Sequence, residues 1–220
     1  MIKIFLNFIK SFYSFIFPHH CAICDDIISE KRLICLSCAK NLTFEFSKKQ
    51  ICTINNNKIY CIAPFTYSDK IRDAIIKFKF CGKVGNCKFF SSAMVKAFKN
   101  YPEKVDFIVP VPISLKRKMK RKYNLCEILS EEISKILDIP YQNVLLKTVD
   151  NPAQHDIAAV YKSENVKNVY KTNTSFEIRD KKILLIDDVC TTGNTLKECA
   201  KTLLSSGAKR VICMVIAFAK

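Results

Sequence analysis

The stretch Ile183-Leu184-Leu185-Ile186-Asp187-Asp188-Val189-Cys190-Thr191-Thr192-Gly193-Asn194-Thr195 decides the fold of this chain. Its four consecutive apolar residues predict a strand buried on both faces, as in a parallel sheet. Two carboxylates follow at the carboxyl end of the strand, where open α/β sheets place their ligands. Apolar residues then recur at helical spacing from Leu196 to Leu204, so we expect a helix to begin near Asn194 or Thr195.

The residues between this strand and this helix predict a binding site for a sugar phosphate. Backbone N–H groups, threonine hydroxyls and the positive end of the helix can all face one anion. Gly193 lets the backbone approach that anion without a Cβ. Asp187 and Asp188 can accept hydrogen bonds from vicinal ribose hydroxyls. The simpler alternative is a capped helix with two solvated acids, but two acids followed by Thr-Thr-Gly-x-Thr favour the phosphate site.

The stretch resembles the signature of type I phosphoribosyltransferases, which bind phosphoribosyl pyrophosphate (PRPP). In that signature four apolar residues and two acids precede a Thr/Gly-rich phosphate loop. The resemblance implies that the acids hold the ribose hydroxyls and that the loop holds the 5′-phosphate. The implied PRPP-binding residues are Asp187, Asp188, Thr191, Thr192, Gly193, Asn194 and Thr195.

The composition of the chain restricts its class and its partners. With 220 residues it can form one large domain, or a standard domain with a small module. A formal net charge of +16 favours anionic partners such as nucleotides, nucleic acid or phospholipid. Most of the 12 cysteines lie singly in apolar stretches, as expected in a reducing cytoplasm. We find no signal-peptide pattern and no apolar span long enough for a bilayer, so we expect a cytoplasmic protein.

Residues 2–17 are rich in Ile, Leu and Phe and predict an amphipathic helix with a narrow polar stripe. Such a helix can lie on the inner face of a membrane as a peripheral contact. The alternative that we favour is docking on the rest of the protein, which buries the same aromatic residues.

Two Cys-x-x-Cys pairs follow, Cys21 with Cys24 and Cys35 with Cys38, with ten residues between the pairs. Each pair can supply two thiolates from one tight turn, and four thiolates close a tetrahedral structural Zn²⁺ site. Asp25 tolerates the left-handed backbone that such turns often need. Two disulfides or a redox pair are the alternatives, and the matched pairs in a chain without a secretory signal favour zinc.

The rest of the chain alternates strands with helices. A polar, Asn-rich stretch at 50–58 marks a turn or a linker. Beyond it we expect strands at 105–109, 144–148 and 211–216, with amphipathic helices between them. This alternation predicts right-handed βαβ units and a mostly parallel sheet.

A dense basic run precedes one of these helices, with six basic residues in seven: Lys116, Arg117, Lys118, Lys120, Arg121 and Lys122. One interpretation is that these side chains bind the phosphates of single-stranded DNA. The other is a solvated loop, or a cradle for pyrophosphate beside the predicted site.

The whole layout resembles the ComF competence family. The resemblance rests on the four-cysteine module, Lys77-Phe78-Lys79 with a following glycine, Val109-Pro110-Val111-Pro112, and the acid-pair motif. It implies an α/β fold of the type I phosphoribosyltransferase class, a mostly parallel sheet flanked by helices with a small N-terminal zinc module. The expected division is residues 1–60 for the amphipathic helix and zinc module, and residues 61–220 for the phosphoribosyltransferase-like domain.

The same resemblance implies a PRPP-binding protein of natural transformation and DNA uptake. Its expected partners are PRPP, single-stranded DNA and a DNA-uptake helicase, and its expected ions are structural Zn²⁺ and Mg²⁺ with PRPP. Ser114 is then expected in the pyrophosphate loop, and residues 150–170 in a lid over the site. The alternative is a catalytically active phosphoribosyltransferase of nucleotide metabolism with an unknown acceptor.

The chain departs from the ComF family at two places. Arg121-Lys122-Tyr123-Asn124-Leu125 stands where Arg-Gly-Phe-Asn-Gln is usual, and Lys162-Ser163-Glu164-Asn165 stands where Arg-x-x-Asn is usual. Lysine keeps the charge of arginine but lacks its bidentate fork for phosphate. We therefore expect pyrophosphate handling to be affected more than PRPP binding.

Overall fold

The structure is a computed structural model that describes residues 18–80, 84–101, 103–114, 117–119, 123–148 and 169–219. Several predicted features lie outside these residues. They are the N-terminal helix at 2–17, the basic residues Lys116, Lys120, Arg121 and Lys122, and nearly all of the lid at 150–170, including Lys162 to Asn165.

The described strands are β1 (His19–His20), β2 (Ile27–Ile28), β3 (Ser47–Ile54), β4 (Asn57–Ala63), β5 (Phe65–Thr66), β6 (Phe107–Pro110), β7 (Leu145–Lys147), β8 (Tyr170–Thr172), β9 (Lys182–Ile186), β10 (Val189–Cys190), β11 (Arg210–Met214) and β12 (Ala217–Phe218). The described α-helices are α1 (Leu36–Asn41), α2 (Asp69–Phe80), α3 (Cys87–Lys99), α4 (Leu125–Leu137) and α5 (Asn194–Ser205). The expected positions of β9 and α5 are confirmed.

A five-stranded sheet in the order β3-β4-β11-β9-β6 forms the centre of the molecule. All of its neighbouring strands run parallel except β3 and β4, which form an antiparallel hairpin. The predicted mostly parallel sheet is therefore confirmed. The connections place α2, α3 and α4 on one face of this sheet and α5 on the other.

Strand β9 is buried on both faces because its side chains alternate between two cores. Ile183 and Leu185 pack in the cluster that contains Leu203 of α5. Leu184 and Ile186 pack in the cluster that contains residues of α2, α3 and α4, such as Met94. The four apolar side chains of β9, Ile183 to Ile186, are fully buried, which explains why they form a continuous apolar run.

The Asn-rich stretch is a hairpin turn and not a linker. Asn55 and Asn56 both have positive φ, of 46° and 63°, the backbone that a two-residue turn between antiparallel strands requires. Residues on either side belong to β3 and β4, so much of the stretch is strand. Residue 60, the predicted boundary between two units, lies within β4, and the division itself stays a prediction.

The N-terminal module packs against the main core. Cys21, Ile23 and Cys38 belong to the same buried cluster as α2, α3 and α4. The buried side-chain amide of Asn86, just before α3, donates a hydrogen bond of 3.1 Å to the carbonyl of Ala22. Among the helices that the structure describes, none has the length and apolarity needed to span a bilayer.

Candidate functional site

The acid pair lies at the carboxyl edge of the sheet, directly after β9. The N–H of Asp187 donates to the carbonyl of Met214 at 3.1 Å, and the carbonyl of Asp188 accepts from the N–H of Ile216 at 2.9 Å. The backbone of both acids is thus tied to the end of β11 and the residues after it. The two carboxylates are held where the sequence predicted them.

The carboxylate of Asp187 lies in a confined setting. Its Oδ1 accepts from the N–H of Asp188 at 2.9 Å and from the thiol of Cys126 at 3.4 Å. Burial raises the pKa of Asp187 to about 7, and the neighbouring charge of Asp188 acts in the same direction. The carboxyl of Asp187 therefore titrates closer to neutral pH than that of an ordinary surface aspartate does.

Asp188 has a partner that the sequence analysis did not assign to the site. Lys79 Nζ lies 2.8 Å from Asp188 Oδ2, and the two side chains are only 18% and 19% exposed. Lys79 belongs to the last turn of α2. The sequence marked its Lys-Phe-Lys segment as part of a family layout, but no periodicity could show that the segment reaches the acids.

The predicted phosphate loop connects β10 to α5. Gly193 has a φ of +75°, a left-handed conformation that favours glycine, and α5 begins at the next residue. Within the described residues, no hydrogen bond engages the N–H groups of Thr191, Thr192 or Gly193. These N–H groups, with the first turn of α5, are available to an anion.

The side chains of the loop support the same use. Thr191, Thr192, Asn194 and Thr195 are all exposed, so the hydroxyls and the amide are free to turn toward a ligand. Gly193 is buried against β3, and a Cβ built on it would lie 3.5 Å from the Cβ of Ile51. Ile51 is the residue at which the pairing register of β3 and β4 shifts, as in a β-bulge.

Two further segments border this edge of the sheet. The N–H of Val111, after β6, donates to the carbonyl of Ile186 at 2.9 Å, and the buried amide of Asn124 donates to the carbonyl of Val111 at 3.1 Å. Asn124 also caps α4 by accepting from the N–H of Cys126 at 3.0 Å. This chain of contacts sets the position of the thiol that faces Asp187.

Ser114 is buried and closes a short turn rather than facing open solvent. Its hydroxyl accepts from the N–H of Arg117 at 3.4 Å, and its carbonyl accepts from the N–H of Lys118 at 2.9 Å. Arg117 and Lys118 are exposed, and Lys118 Nζ lies 3.8 Å from a carboxylate oxygen of Glu127. The predicted roles of these three residues toward pyrophosphate or DNA remain predictions.

The structure brings together the four cysteines of the two Cys-x-x-Cys pairs. The Sγ atoms of Cys21, Cys24, Cys35 and Cys38 all lie within 4.8 Å of one another. The Sγ atoms of Cys24 and Cys35 are 3.7 Å apart. A tetrahedral zinc site with Zn–S bonds of about 2.3 Å needs sulfur atoms about 3.8 Å apart, so the cluster fits zinc.

Backbone N–H groups favour the thiolate of Cys21, whereas burial raises the pKa of the Cys24 and Cys38 thiols. The N–H of Cys35 donates to Cys21 Sγ and the N–H of Cys38 donates to Cys35 Sγ, each at 3.3 Å. Burial raises the pKa of Cys21, but N–H groups of the turns outweigh it and lower the pKa to about 7. Asp25 has a φ of 75°, which confirms the left-handed backbone predicted there.

Two clefts of the described surface lie away from the acid pair. One cleft of about 520 Å³ lies between the cysteine cluster and α2, and another of about 550 Å³ borders the residues after α1. A phosphate at a helix N-terminus needs no enclosed cavity, because backbone N–H groups and the positive end of the helix bind it.

Two family models match the chain. That for the phosphoribosyl transferase domain matches residues 91–220, and that for the double zinc ribbon domain matches residues 12–62. The first covers strands β6, β9 and β11 of the sheet, the acid pair and the loop, and confirms the expected fold class. The second covers all four clustered cysteines and supports a structural zinc ion.

Three curated relatives are similar to parts of the chain. Competence protein F of Haemophilus influenzae is 36% identical over 106 residues, 47% of this chain and 46% of that protein. Competence protein ComFC of Bacillus subtilis is 33% identical over 147 residues, 65% and 57% of the two chains. DNA utilization protein YhgH of Escherichia coli is 30% identical over 107 residues, 48% and 46% of the two chains. The matches span about half the length of these relatives.

We predict about one zinc ion per chain, held by the four clustered cysteines. Cys35→Ser should lose the metal and loosen the N-terminal module, because such ions contribute folding energy directly. Cys52→Ser, at a half-buried cysteine outside the cluster, is the control and should keep its zinc. Elemental analysis and thiol alkylation check this. Metal-free protein in which all four thiols react freely would refute the site.

We also predict that Asp187 makes the protein less stable as pH rises. Its pKa is about 7 in the folded chain against an ordinary 3.8, so the folded state holds the proton more tightly. The stabilising contribution of this carboxyl to the free energy of unfolding is therefore fully present below about pH 4 and is lost as pH rises toward about pH 7. Asp187→Asn should remove that loss.

The measurement is the urea midpoint of the wild type and of Asp187→Asn across this pH range. The variant should gain stability relative to the wild type as pH rises. Asp138→Asn changes an exposed aspartate with a left-handed backbone, which asparagine tolerates, and should run parallel to the wild type. Parallel curves for Asp187→Asn as well would contradict the burial of this charge.

Proposed function

The chain belongs to the phosphoribosyl transferase domain family and is a ComF-family protein, and from this premise we propose that it binds PRPP at the acid pair and acts in DNA uptake during natural transformation. The observation that carries the proposal is the joint placement of two carboxylates and a free phosphate loop at one edge of the sheet. The relatives named as competence proteins support the proposed role in natural transformation. The cytoplasm is the expected location of the protein.

The two parts of the site suit the two ends of the ligand. The carboxylates of Asp187 and Asp188 would accept hydrogen bonds from the ribose hydroxyls, and the N–H groups of residues 191–195 would receive the 5′-phosphate. Strand β9 fixes the position of the acid pair, and the start of α5 fixes the position of the phosphate loop. The distance between these two parts of the site is therefore set by the backbone. A rigid spacing of this kind lowers the entropy cost of binding.

Mg²⁺ fits the site as an ion carried by the ligand. One carboxylate of the pair is engaged by Lys79 and the other accepts from Cys126, so the ion's oxygen ligands would be ribose hydroxyls and pyrophosphate oxygens. When bound, it would offset the negative charge of the pyrophosphate.

The basic run would add a contact for single-stranded DNA beside this site. The side chains of Arg117 and Lys118 are exposed, and the chain carries a formal net charge of +16. One relative is named a DNA utilization protein. We propose that the run binds DNA phosphates without base preference, and that an uptake helicase is the protein partner.

An active phosphoribosyltransferase is the second candidate, because the acid pair and the loop are complete. In that reaction the bond from the anomeric carbon to the pyrophosphate oxygen breaks, and pyrophosphate leaves with the electron pair. A bond from an acceptor nitrogen forms, and the acceptor loses its proton. The chain would contribute positioning and charge stabilisation of the cationic sugar. Release of pyrophosphate from PRPP, Mg²⁺ and candidate bases, with and without single-stranded DNA, tests this candidate.

We predict that PRPP raises the melting temperature of the wild type and that the acid pair is required. A ligand at a hundredfold excess over its dissociation constant stabilises the folded state by about 2.7 kcal/mol. The double variant Asp187→Asn, Asp188→Asn should lose most of this shift while remaining folded. Its unliganded stability should change little, because relief of the buried charge of Asp187 opposes the loss of the ion pair between Lys79 and Asp188.

The control for this experiment is Asp69→Asn with Asp73→Asn, two carboxylates at exposed positions of α2 outside the site. That variant should keep the PRPP-induced shift. If the acid-pair variant keeps the full shift, PRPP binds elsewhere on the chain.

We predict that the basic run binds single-stranded DNA and that the affinity falls steeply as the salt concentration rises. Replacing Lys116, Arg117, Lys120 and Arg121 by Gln should lower the log–log salt slope by about 0.7 for each phosphate that the variant no longer binds. The matched control replaces four exposed lysines at Lys99, Lys104, Lys181 and Lys209, the last three before β6, β9 and β11 at the opposite edge of the sheet.

Both ligands are measured on both variants. If the run binds DNA, its variant shows a weaker affinity and a smaller slope, while the control, with the same change in net charge, changes much less. If the run instead cradles pyrophosphate, its variant loses PRPP affinity and keeps its DNA binding. An unaltered salt slope would exclude the run as the DNA-binding segment.

A further inference from the structure

Lys79 leaves α2 from a firmly held turn. The ring of Phe78 is fully buried and stacks on Phe90, with the ring centroids 5.9 Å apart. The carbonyl of Phe78 accepts a hydrogen bond from the hydroxyl of Tyr123, just before α4. The backbone beside Lys79 is therefore fixed by side-chain packing and by a hydrogen bond to another segment.

The contact from Lys79 to the acid pair is not a loose surface ion pair. The separation of 2.8 Å between Nζ and Oδ2 is that of a charge-assisted hydrogen bond, and both side chains are less than one-fifth exposed. Exposed pairs contribute little because water screens them and both side chains stay mobile. Here the low exposure of both partners reduces the screening.

Lys79 places a positive charge beside the two acids. Asp187 and Asp188 are consecutive, and the charge of Asp188 disfavours the ionised form of Asp187. The Cys126 thiol also faces Asp187, and the buried groups that feel its charge are Cys61, Cys190, Cys199, Cys213 and Tyr170. None of these groups is a cation, whereas Lys79 lowers the pKa of Asp187 through its charge.

We infer that Lys79 is a positioning residue of the acid-pair site: its ammonium group fixes the carboxylate of Asp188 and offsets the charge of the pair, so that both carboxylates can accept ribose hydroxyls together. This inference rests on the proposed function. Lys79 acts through Asp188 and is not required to touch the ligand. The site is thus assembled from α2 as well as from the strand that carries the acids.

The test compares Lys79→Gln, Lys79→Arg and Lys77→Gln for PRPP binding across about pH 6 to about pH 9. Lys79→Gln should weaken binding about tenfold near neutral pH, and the loss should shrink as pH rises. The reason is that removal of the cation raises the pKa of Asp187 further, so that a higher pH is needed to ionise it. Lys79→Arg keeps the charge and should restore most of the affinity.

Lys77→Gln is the matched control, because Lys77 lies on the same helix turn but lines the cleft beside the cysteine cluster. It should bind PRPP as the wild type does. A uniform loss at every pH in Lys79→Gln, without rescue by arginine, would mean that Lys79 only supports the fold and would overturn the inference.

A second readout separates this inference from the proposed function. NMR titration of the Asp187 carboxyl carbon needs no ligand, and its midpoint should move upward in Lys79→Gln and stay near the wild-type value in Lys77→Gln. If the wild type fails to bind PRPP, the proposed function is wrong, and the titration still tests Lys79. An Asp187 midpoint that is the same in the wild type and in Lys79→Gln would overturn the inference.

Discussion

The site depends on one constraint, which is that β9 is hydrogen-bonded on both sides and buried on both faces. Its neighbours β6 and β11 hold the backbone, and two separate apolar cores hold alternate side chains. The residues after its last position therefore begin from a fixed point. Two adjacent carboxylates on a flexible loop would turn apart to reduce their repulsion, whereas those at the end of β9 are kept together.

This arrangement trades stability for readiness to bind. Burial raises the pKa of Asp187, so the ionised form is unfavourable in the folded chain. Functional sites commonly keep such unfavourable groups, because the surrounding structure is stable enough to hold them. Three donors from different segments reduce the free-energy cost of ionising the acid pair. They are the N–H of Asp188, the thiol of Cys126 and the ammonium group of Lys79. A ligand that supplies further donors would complete the set.

The sequence predicted those parts of the molecule whose signal is local. The apolar run of β9, the helix start after Gly193 and the paired cysteines each carry their own pattern, and the structure places all of them as expected. Strand β3 was missed because it is an edge strand with Lys48, Lys49 and Gln50 exposed, so no apolar alternation marked it. The ion pair of Lys79 with Asp188 was missed because it joins segments far apart in the chain, and only the tertiary fold brings them together.

The bulge of β3 has a consequence for the tolerance of the chain to insertions. Turns with exposed side chains, such as that at Asn55 and Asn56, ordinarily accept extra residues at little cost. In this hairpin the turn length fixes the register, and the register decides that Ile51, and not Gln50 or Cys52, lies against Gly193. A slip by one residue would turn the side chain of Ile51 to the opposite face of the sheet. The length of a surface turn is thereby tied to the shape of the phosphate loop, and evolution is less free to vary that turn than its exposure alone would indicate.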